Sequence, residues 1–147
     1  MNHFSLFTGS GIGDYAAEQC GFKTVAQCEN DPACLFCLSR MFPNAKRFSD
    51  IKSITDDDVR RLGRIDLISG GPPCQPVSSA GKRKAQDDAR WMWPQTMQIV
   101  NVARPAWCIF ENPLGLRTKG IDWILNSMES MGYACWSYVV PAYAAGL

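Results

Sequence analysis

Short apolar runs alternate along this chain with helix-like segments. The runs are bounded by glycine, proline or acidic residues, which is typical of buried strands. They predict five strands, at Phe4–Phe7, Phe22–Cys28, Ile65–Ser69, Trp107–Phe110 and Cys135–Pro141.

The helix-like segments have recognisable starts. Asp31 and Pro32 can cap and open a helix, and Asp56–Asp58 is typical of a solvated, capped helix start. The longer predicted helices are Asp14–Cys20, Asp31–Met41, Arg90–Ala103 and Ile121–Met131. Because strands alternate with helices, we expect one α/β domain over residues 1–147 with a mainly parallel sheet.

The composition is that of an ordinary globular protein. Hydrophobic residues make up 46% of the chain, charged residues 20%, and the net charge is +1. A nucleic-acid-binding domain usually carries a basic excess, so charge alone does not indicate one. The apolar runs are too short to span a membrane, and seven cysteines, an odd number, favour a reducing, cytoplasmic setting.

Chemically capable side chains follow three of the predicted strands. Glu29 follows the second strand, Cys74 lies shortly after the third, and Glu111 follows Trp107–Phe110. Ligands of open parallel sheets bind outside the carboxyl ends of the strands. We therefore expect these three residues to face one site.

The first strand runs into a glycine-rich turn, Phe7–Gly13. Its glycines allow the backbone to approach a ligand closely, and Glu29 is placed to accept hydrogen bonds from a ribose. The pattern differs from the dinucleotide fingerprint because Asp14 stands where a glycine is required. Taken alone, the turn is also consistent with a simple strand-to-helix connection.

The most distinctive stretch is Gly70–Arg83, which reads GGPPCQPVSSAGKR. Prolines on both sides of Cys74-Gln75 stiffen the loop and hold the thiol in place, and the hydroxyl and basic residues that follow favour a thiolate. A Walker-type phosphate loop would need glycine at Pro76, and a cysteine phosphatase loop would need arginine at Ala80. The alternative is a buried, proline-rich turn with an inert cysteine.

Three smaller features require a choice between a structural and a chemical interpretation. Glu111, followed by Asn112, is either a helix cap or solvated residue, or a general acid paired with the cysteine. Cys34-x-x-Cys37 has no accompanying histidine cluster, so we expect buried core thiols and no metal site. Trp91-Met92-Trp93 is either core or a surface for a nucleobase.

Together, the Phe-x-Gly-x-Gly turn, the glutamate, the Pro-Cys-Gln stretch and the Glu-Asn pair resemble the cytosine 5-methyltransferase family. The similarity runs from Ser5 to Leu147, and the short start is similar to bacterial or phage members. The resemblance implies a Rossmann-like, S-adenosylmethionine-dependent methyltransferase fold with double-stranded DNA as partner. It also implies a set of cofactor-binding residues: Phe7, Gly9, Gly11, Glu29, Asp50, Ile51 and Pro73.

The resemblance implies a covalent mechanism as well. The family flips its target cytosine out of the duplex, and Cys74 as a thiolate would attack carbon 6. Glu111 would hydrogen-bond or protonate ring nitrogen 3, and Asn112 would help position the cysteine loop. Carbon 5 would then take the methyl group of S-adenosylmethionine.

The chain also departs from the family. Pro113 stands where valine is usual, and Ile12-Gly13 alters the end of the glycine turn. The family continues past a position like Leu147 into a further strand and a target-recognition region, so we expect an incomplete sheet and a need for a C-terminal half or second chain. A cofactor-binding module without activity and a transfer-RNA cytosine methyltransferase stay open as alternatives.

Overall fold

A parallel sheet of five strands organises residues 1–73 and 91–145, which are the residues that the computed structural model describes. The strands, in order of sequence, are β1 (Asn2–Leu6), β2 (Lys23–Cys28), β3 (Lys46–Phe48), β4 (Leu67–Gly70) and β5 (Trp107–Phe110). Their spatial order is β3-β2-β1-β4-β5. All four pairings are parallel, so the carboxyl ends of the strands share one edge.

Six α-helices accompany these strands in the described residues: α1 (Ile12–Gln19), α2 (Pro32–Met41), α3 (Asp56–Arg61), α4 (Trp93–Ala103), α5 (Leu116–Lys119) and α6 (Ile121–Ser130). Short 3-10 turns occupy Ile51–Ser53 and Ala142–Ala145. The predicted cap of α2 is confirmed, because the Asp31 carboxylate accepts the backbone N–H groups of Ala33 and Cys34. Across residues 1–73 and 91–145, no helix is long and apolar enough to cross a membrane.

Four of the five predicted strands form, with ends shifted by at most two residues. The prediction of a strand at Cys135–Pro141 is wrong, since this segment has no strand pairing in the structure. Its apolar and β-branched residues match a strand pattern, but side-chain type alone does not make a strand, and this segment pairs with no strand among the described residues. Trp136, Tyr138 and Val140 are instead more than 70% exposed.

One face of the sheet carries the main apolar core. Phe4, Leu6, Ala26, Cys28 and Ile68 are almost completely buried there, and they belong to one cluster with apolar side chains of α3, α4 and α6. The register pairs Phe4 with Ile68, so neighbouring strands present apolar residues to the same face. Because the strands bury apolar residues on this face, the apolar runs of the sequence predict their positions well.

The opposite face of the sheet is polar on β1 and β2, although it is buried there. His3 and Thr24 hydrogen-bond through Nδ1 and Oγ1 at 3.1 Å, and His3 Nε2 lies 2.7 Å from the Ser69 hydroxyl. Ser5 and Gln27 lie on the same face and bond to α1. Burial lowers the pKa of His3 to about 4, so the imidazole is neutral at physiological pH.

The outer part of β5 is uncovered in the described residues. Trp107 and Ile109 are 63% and 61% exposed, although strands of parallel sheets are normally covered on both faces. Nothing within residues 1–73 and 91–145 pairs with the strand edge that faces away from β4. An uncovered and unpaired edge of β5 among the described residues is what the expectation of an incomplete sheet implies.

The expectation of buried thiols at Cys34 and Cys37 is wrong. Both lie on α2 as predicted, but Cys34 is only half-buried and Cys37 is exposed. The helix buries only Leu38, which packs with Phe42 and Ala45 in a small separate cluster. A helix at the periphery needs only a narrow apolar stripe, so its other apolar side chains stay in contact with solvent.

The buried His3 makes the free energy of unfolding depend on pH. Its pKa is about 4 in the folded chain and about 6.5 in the unfolded chain, so protons favour unfolding between these values. Its stabilising contribution is therefore fully present above about pH 6.5 and falls by up to about 3 kcal/mol as the pH drops towards 4. The variant His3→Gln removes the only histidine of the chain. Urea denaturation should show that the difference in free energy of unfolding between wild type and this variant shrinks as the pH falls from 6.5 to 4. A difference that stays constant from pH 7 to pH 4 would contradict the assignment.

Gly70 permits the close approach of β4 to β1. A Cβ atom at this position would overlap the carbonyl oxygen of Leu6, so Gly70→Ala should destabilise the fold by about 1–3 kcal/mol. Gly13→Ala is the matched control, because Gly13 lies in α1 with open space around the added methyl. The control should stabilise the fold by up to about 1 kcal/mol, and equal effects of the two substitutions in urea denaturation would refute the steric argument.

Candidate active site at the carboxyl edge of the sheet

The last residues of all five strands lie in one row. Leu6 pairs with Cys28 on one side and Gly70 on the other. Cys28 in turn pairs with Phe48 of β3, and Gly70 pairs with Phe110 of β5, which completes the row. The residues that follow these positions, including the predicted Phe7, Glu29 and Glu111, are therefore brought to the same edge.

The glycine turn leaves β1 with an unusual backbone. Phe7, Gly9 and Gly11 have φ angles of 54°, 58° and 88°, in the left-handed region. The turn is held by the N–H of Thr8, which donates to the carbonyl of Cys28 at 3.1 Å. This geometry places the half-buried residues Phe7 to Gly9 at the edge of the sheet and leads the chain into α1.

The two central glycines of the turn have different surroundings. A Cβ atom at Gly9 would meet nothing within 4 Å, so the backbone there is open to an approaching ligand. A Cβ atom at Gly11 would lie 2.9 Å from Leu38 Cδ2 and 3.0 Å from Phe42 Cε2. Gly11 is thus required by the packing of the turn against α2, whatever else it does.

Glu29 is half-buried and fixed by backbone donors. Its Oε2 accepts the N–H of Gly9 at 2.6 Å, and its Oε1 accepts the N–H groups of Asn30 and Asp31 at 2.8 and 2.9 Å. A carboxylate offers about four acceptor positions, so these three bonds leave about one on Oε2. The side chain therefore joins the glycine turn to the end of β2 and can still accept one hydroxyl.

Asp50 and Ile51 follow the end of β3, next to Glu29. The Glu29 N–H donates to the Phe48 carbonyl at 3.0 Å, which ties the two strand ends together. Asp50 is exposed, and its Oδ1 accepts the N–H of Lys52 at 2.9 Å. Ile51 is 6% exposed and belongs to the main core, so little of its side chain is available to a ligand.

Glu111 and Pro73 lie at the other end of the row. The N–H of Glu111 donates to the Gly70 carbonyl at 3.0 Å, and a Cβ atom at Gly71 would lie 3.5 Å from Glu111 Oε2. The carboxylate is therefore beside the segment that leads through the half-buried Pro73 to residue 74. Cys74 itself, with the hydroxyl and basic residues after it, lies outside the described residues.

Asn112 and an aromatic cluster support this end of the site. Asn112 Oδ1 is buried and has no hydrogen-bond partner within the part of the chain that the structure describes. Trp93 packs edge-on against Phe110 at 5.1 Å between ring centroids, and Trp91 packs similarly against Trp123 at 5.8 Å. With exposures of 9% and 1%, Trp91 and Trp93 belong to the core, which resolves the alternatives left by the sequence.

Sequence reasoning missed a buried carboxylate beside the glycine turn. Asp14 is 0% exposed and accepts hydrogen bonds from Ser5 and Gln27, whereas the sequence indicated only a helix start and a departure from the dinucleotide fingerprint. The available signal was the alternation of polar residues, His3 and Ser5, within an otherwise apolar strand. Such alternation indicates a buried polar face or a solvated one, and the pattern does not distinguish them.

The whole chain, residues 1–147, matches the family model for C-5 cytosine-specific DNA methylase. It is 36% identical over 126 residues to the type II methyltransferase M.AquIA of Picosynechococcus, covering 81% of this chain and 49% of the relative. It is 32% identical over an alignment of 157 residues to the type II methyltransferase M2.BsuMI of Bacillus subtilis, covering 100% and 39% respectively. The chain thus spans half or less of the length of these curated relatives.

A solved structure shares the fold. A mutant of Spodoptera frugiperda DNMT2 superposes with a TM-score of 0.71 at 19% identity, covering 88% of this chain and 41% of that one. The parallel sheet with its helices is therefore the S-adenosylmethionine-dependent methyltransferase fold that the resemblance implied. The chain belongs to the C-5 cytosine-specific DNA methylase family.

Proposed function

We propose that this chain supplies the cofactor-binding and catalytic residues of an enzyme that transfers a methyl group from S-adenosylmethionine to carbon 5 of cytosine in double-stranded DNA. One observation carries the proposal: the in-register row of strand ends. It brings the glycine turn and Glu29 to the same edge as Glu111 and the segment leading to Cys74. A methyl donor and a target base must meet at one place, and this edge offers donor-side and base-side groups together.

The donor-side residues fit S-adenosylmethionine, which would supply the methyl group. Gly9 leaves space for close approach to the backbone, and Glu29 Oε2 keeps about one acceptor position for a ribose hydroxyl. Asp50 lies exposed near the neighbouring strand end, where it can meet the adenine. The residues that we assign to the cofactor site are Phe7, Gly9, Gly11, Glu29, Asp50, Ile51 and Pro73. Of these, Gly11 and Ile51 contribute through the packing that shapes the site.

The base-side residues would act on a cytosine flipped out of the duplex. The Cys74 thiolate forms a bond from sulfur to carbon 6, while Glu111 stabilises the charge that develops at nitrogen 3. Carbon 5 thereby becomes nucleophilic and would take the methyl group that S-adenosylmethionine supplies, with S-adenosylhomocysteine as the leaving group. Loss of the carbon 5 proton to solvent would then expel the cysteine thiolate from carbon 6 and release the methylated base. Asn112, whose buried Oδ1 has no hydrogen-bond partner among the described residues, would hold the cysteine loop in position.

Activity would need the second half of an enzyme, from the same polypeptide or from another chain. A net charge of +1 gives little attraction to phosphates, whereas base flipping costs a few kcal/mol that DNA contacts must offset. The exposed side chains of Trp107 and Ile109 lie on β5 beside the strand edge that has no partner in residues 1–73 and 91–145, and a further element can pack there. The proposed setting is the cytoplasm of a bacterium, with residues 1–147 as the catalytic and cofactor-binding unit.

The cofactor assignment predicts a measurable affinity. Glu29→Ala should weaken binding of S-adenosylhomocysteine, the demethylated product, by roughly ten- to a hundredfold, as expected for hydrogen bonds to a charged group. The measurement is isothermal titration calorimetry on chain that circular dichroism shows to be folded. Glu129→Ala, which removes an exposed carboxylate from α6, is the control and should leave the affinity unchanged. Absence of binding to folded wild-type chain would refute the cofactor assignment.

The nucleophile assignment predicts a separation between chemistry and binding. In an enzyme completed with a C-terminal half, Cys74→Ala should lower methyl transfer by more than about 10⁴-fold and leave affinity for S-adenosylhomocysteine nearly unchanged, because the thiol acts on the base. Transfer of tritiated methyl groups to mixed-sequence DNA measures this. Cys37→Ala, which truncates an exposed cysteine of α2, is the matched control.

The same assay separates the alternatives. The 147-residue chain alone should show no turnover, and turnover that depends on Cys74 would refute the need for a second half. Transfer to RNA but not DNA by the completed enzyme would indicate a transfer-RNA methyltransferase. A completed Cys74→Ala enzyme that still methylates DNA would show that another group is the nucleophile.

A further inference from the structure

Asp14 lies in the first turn of α1, directly after the glycine turn. It is 0% exposed. Its Oδ2 accepts the hydroxyl of Ser5 at 3.0 Å, and its Oδ1 accepts the side-chain amide of Gln27 at 2.9 Å. A buried carboxylate is costly unless such bonds are made, so the three side chains form one unit.

This unit spans the glycine turn from both sides. Ser5 belongs to β1, which enters the turn, and Asp14 belongs to the helix that leaves it. Gln27 belongs to β2, the neighbouring strand. The turn is thus closed at its base by side chains from three elements.

Three consecutive residues, the last two of β2 and the one that follows it, bond to the glycine turn and to α1. Gln27 bonds to Asp14, the Cys28 carbonyl accepts the N–H of Thr8, and Glu29 Oε2 accepts the N–H of Gly9. A shift of the turn and α1 together relative to β2 would therefore alter all three contacts. The position of Asp14 and the position of the Glu29 carboxylate are linked through this short stretch.

The start of α1 is not capped by a side chain at its N-cap position. Its N-cap residue is Gly11, in the left-handed conformation and without a side-chain capping bond. Most helices are anchored at this point by a serine, threonine or acidic side chain. In this chain the buried Asp14, three residues after Gly11, ties the first turn of the helix to β1 and β2 through its side chain.

Hydrogen bonds from Gln27 and Ser5 hold the Asp14 side chain in place. Burial raises the pKa of Asp14 above its usual value, although the bonds from Gln27, Ser5 and its own backbone N–H oppose this shift. An asparagine would keep both contacts, because its carbonyl can accept from Gln27 and its amide can donate to the Ser5 hydroxyl. An alanine would leave Gln27 and Ser5 buried without these bonds.

We propose that Asp14 is a positioning residue that sets the glycine turn against Glu29, so that the two together can hold the cofactor. The cofactor part of this inference rests on the proposed function. The positioning part concerns the turn itself and is testable without any ligand.

The first test is amide hydrogen exchange, resolved by residue with NMR. In Asp14→Ala, exchange of the Thr8 and Gly9 amides should accelerate about tenfold relative to the amides of β4, and Asp14→Asn should restore slow exchange. Gln19→Ala, which truncates an exposed polar side chain of the same helix, is the control. Equal acceleration in the turn and in β4 would show a general loss of stability and overturn the inference.

The second test measures affinity for S-adenosylhomocysteine. Asp14→Ala should weaken binding about tenfold, Asp14→Asn should recover it, and Asp14→Ala combined with Glu29→Ala should bind no more weakly than Glu29→Ala alone. Additive losses in the double variant would overturn the inference. Absence of binding to wild type, together with faster exchange at Thr8 and Gly9 in Asp14→Ala, would refute the proposed function and leave the positioning role standing.

Discussion

The parallel register of β1 with its two neighbours is the constraint on which the rest of the structure depends. Leu6 pairs with Cys28 and Gly70 at once, and this close approach is possible because residue 70 has no side chain. The three strands consequently end together, and so do β3 and β5, which pair with them. A one-residue slip would turn the side chains of the slipped strand to the other face of the sheet, so its core residues would leave the apolar face and its neighbours at the carboxyl edge would change.

The two faces of the sheet serve different purposes. The apolar face, beneath α3, α4 and α6, supplies most of the buried apolar surface and hence the stability. The polar face, beneath α1, contributes less apolar surface but holds side chains through specific bonds, as between His3 and Ser69 or Asp14 and Gln27. Because hydrogen bonds are directional, this face is suited to fixing the glycine turn at the edge of the sheet.

Sequence reasoning succeeded where the residues report on local structure. The apolar runs predicted four strands, and placing Glu29 and Glu111 at strand ends followed from those runs. It missed β3, because Lys46-Arg47-Phe48 is short and mostly charged. It failed at Cys135–Pro141, at Cys34 and at Cys37, because pairing and burial depend on what other elements lie nearby. Asp14 was missed because its partners, Ser5 and Gln27, are close only in the folded chain.

The central claim is that the glycine turn and the ends of β2 and β3 form one cofactor site. The most direct test is a map of amide chemical-shift changes on titrating the ¹⁵N-labelled chain with S-adenosylhomocysteine. The account predicts that the largest changes occur together at Thr8, Gly9, Glu29 and Asp50, with small changes in α6. Largest changes in α6 or at the exposed face of β5, with the glycine turn unaffected, would contradict it.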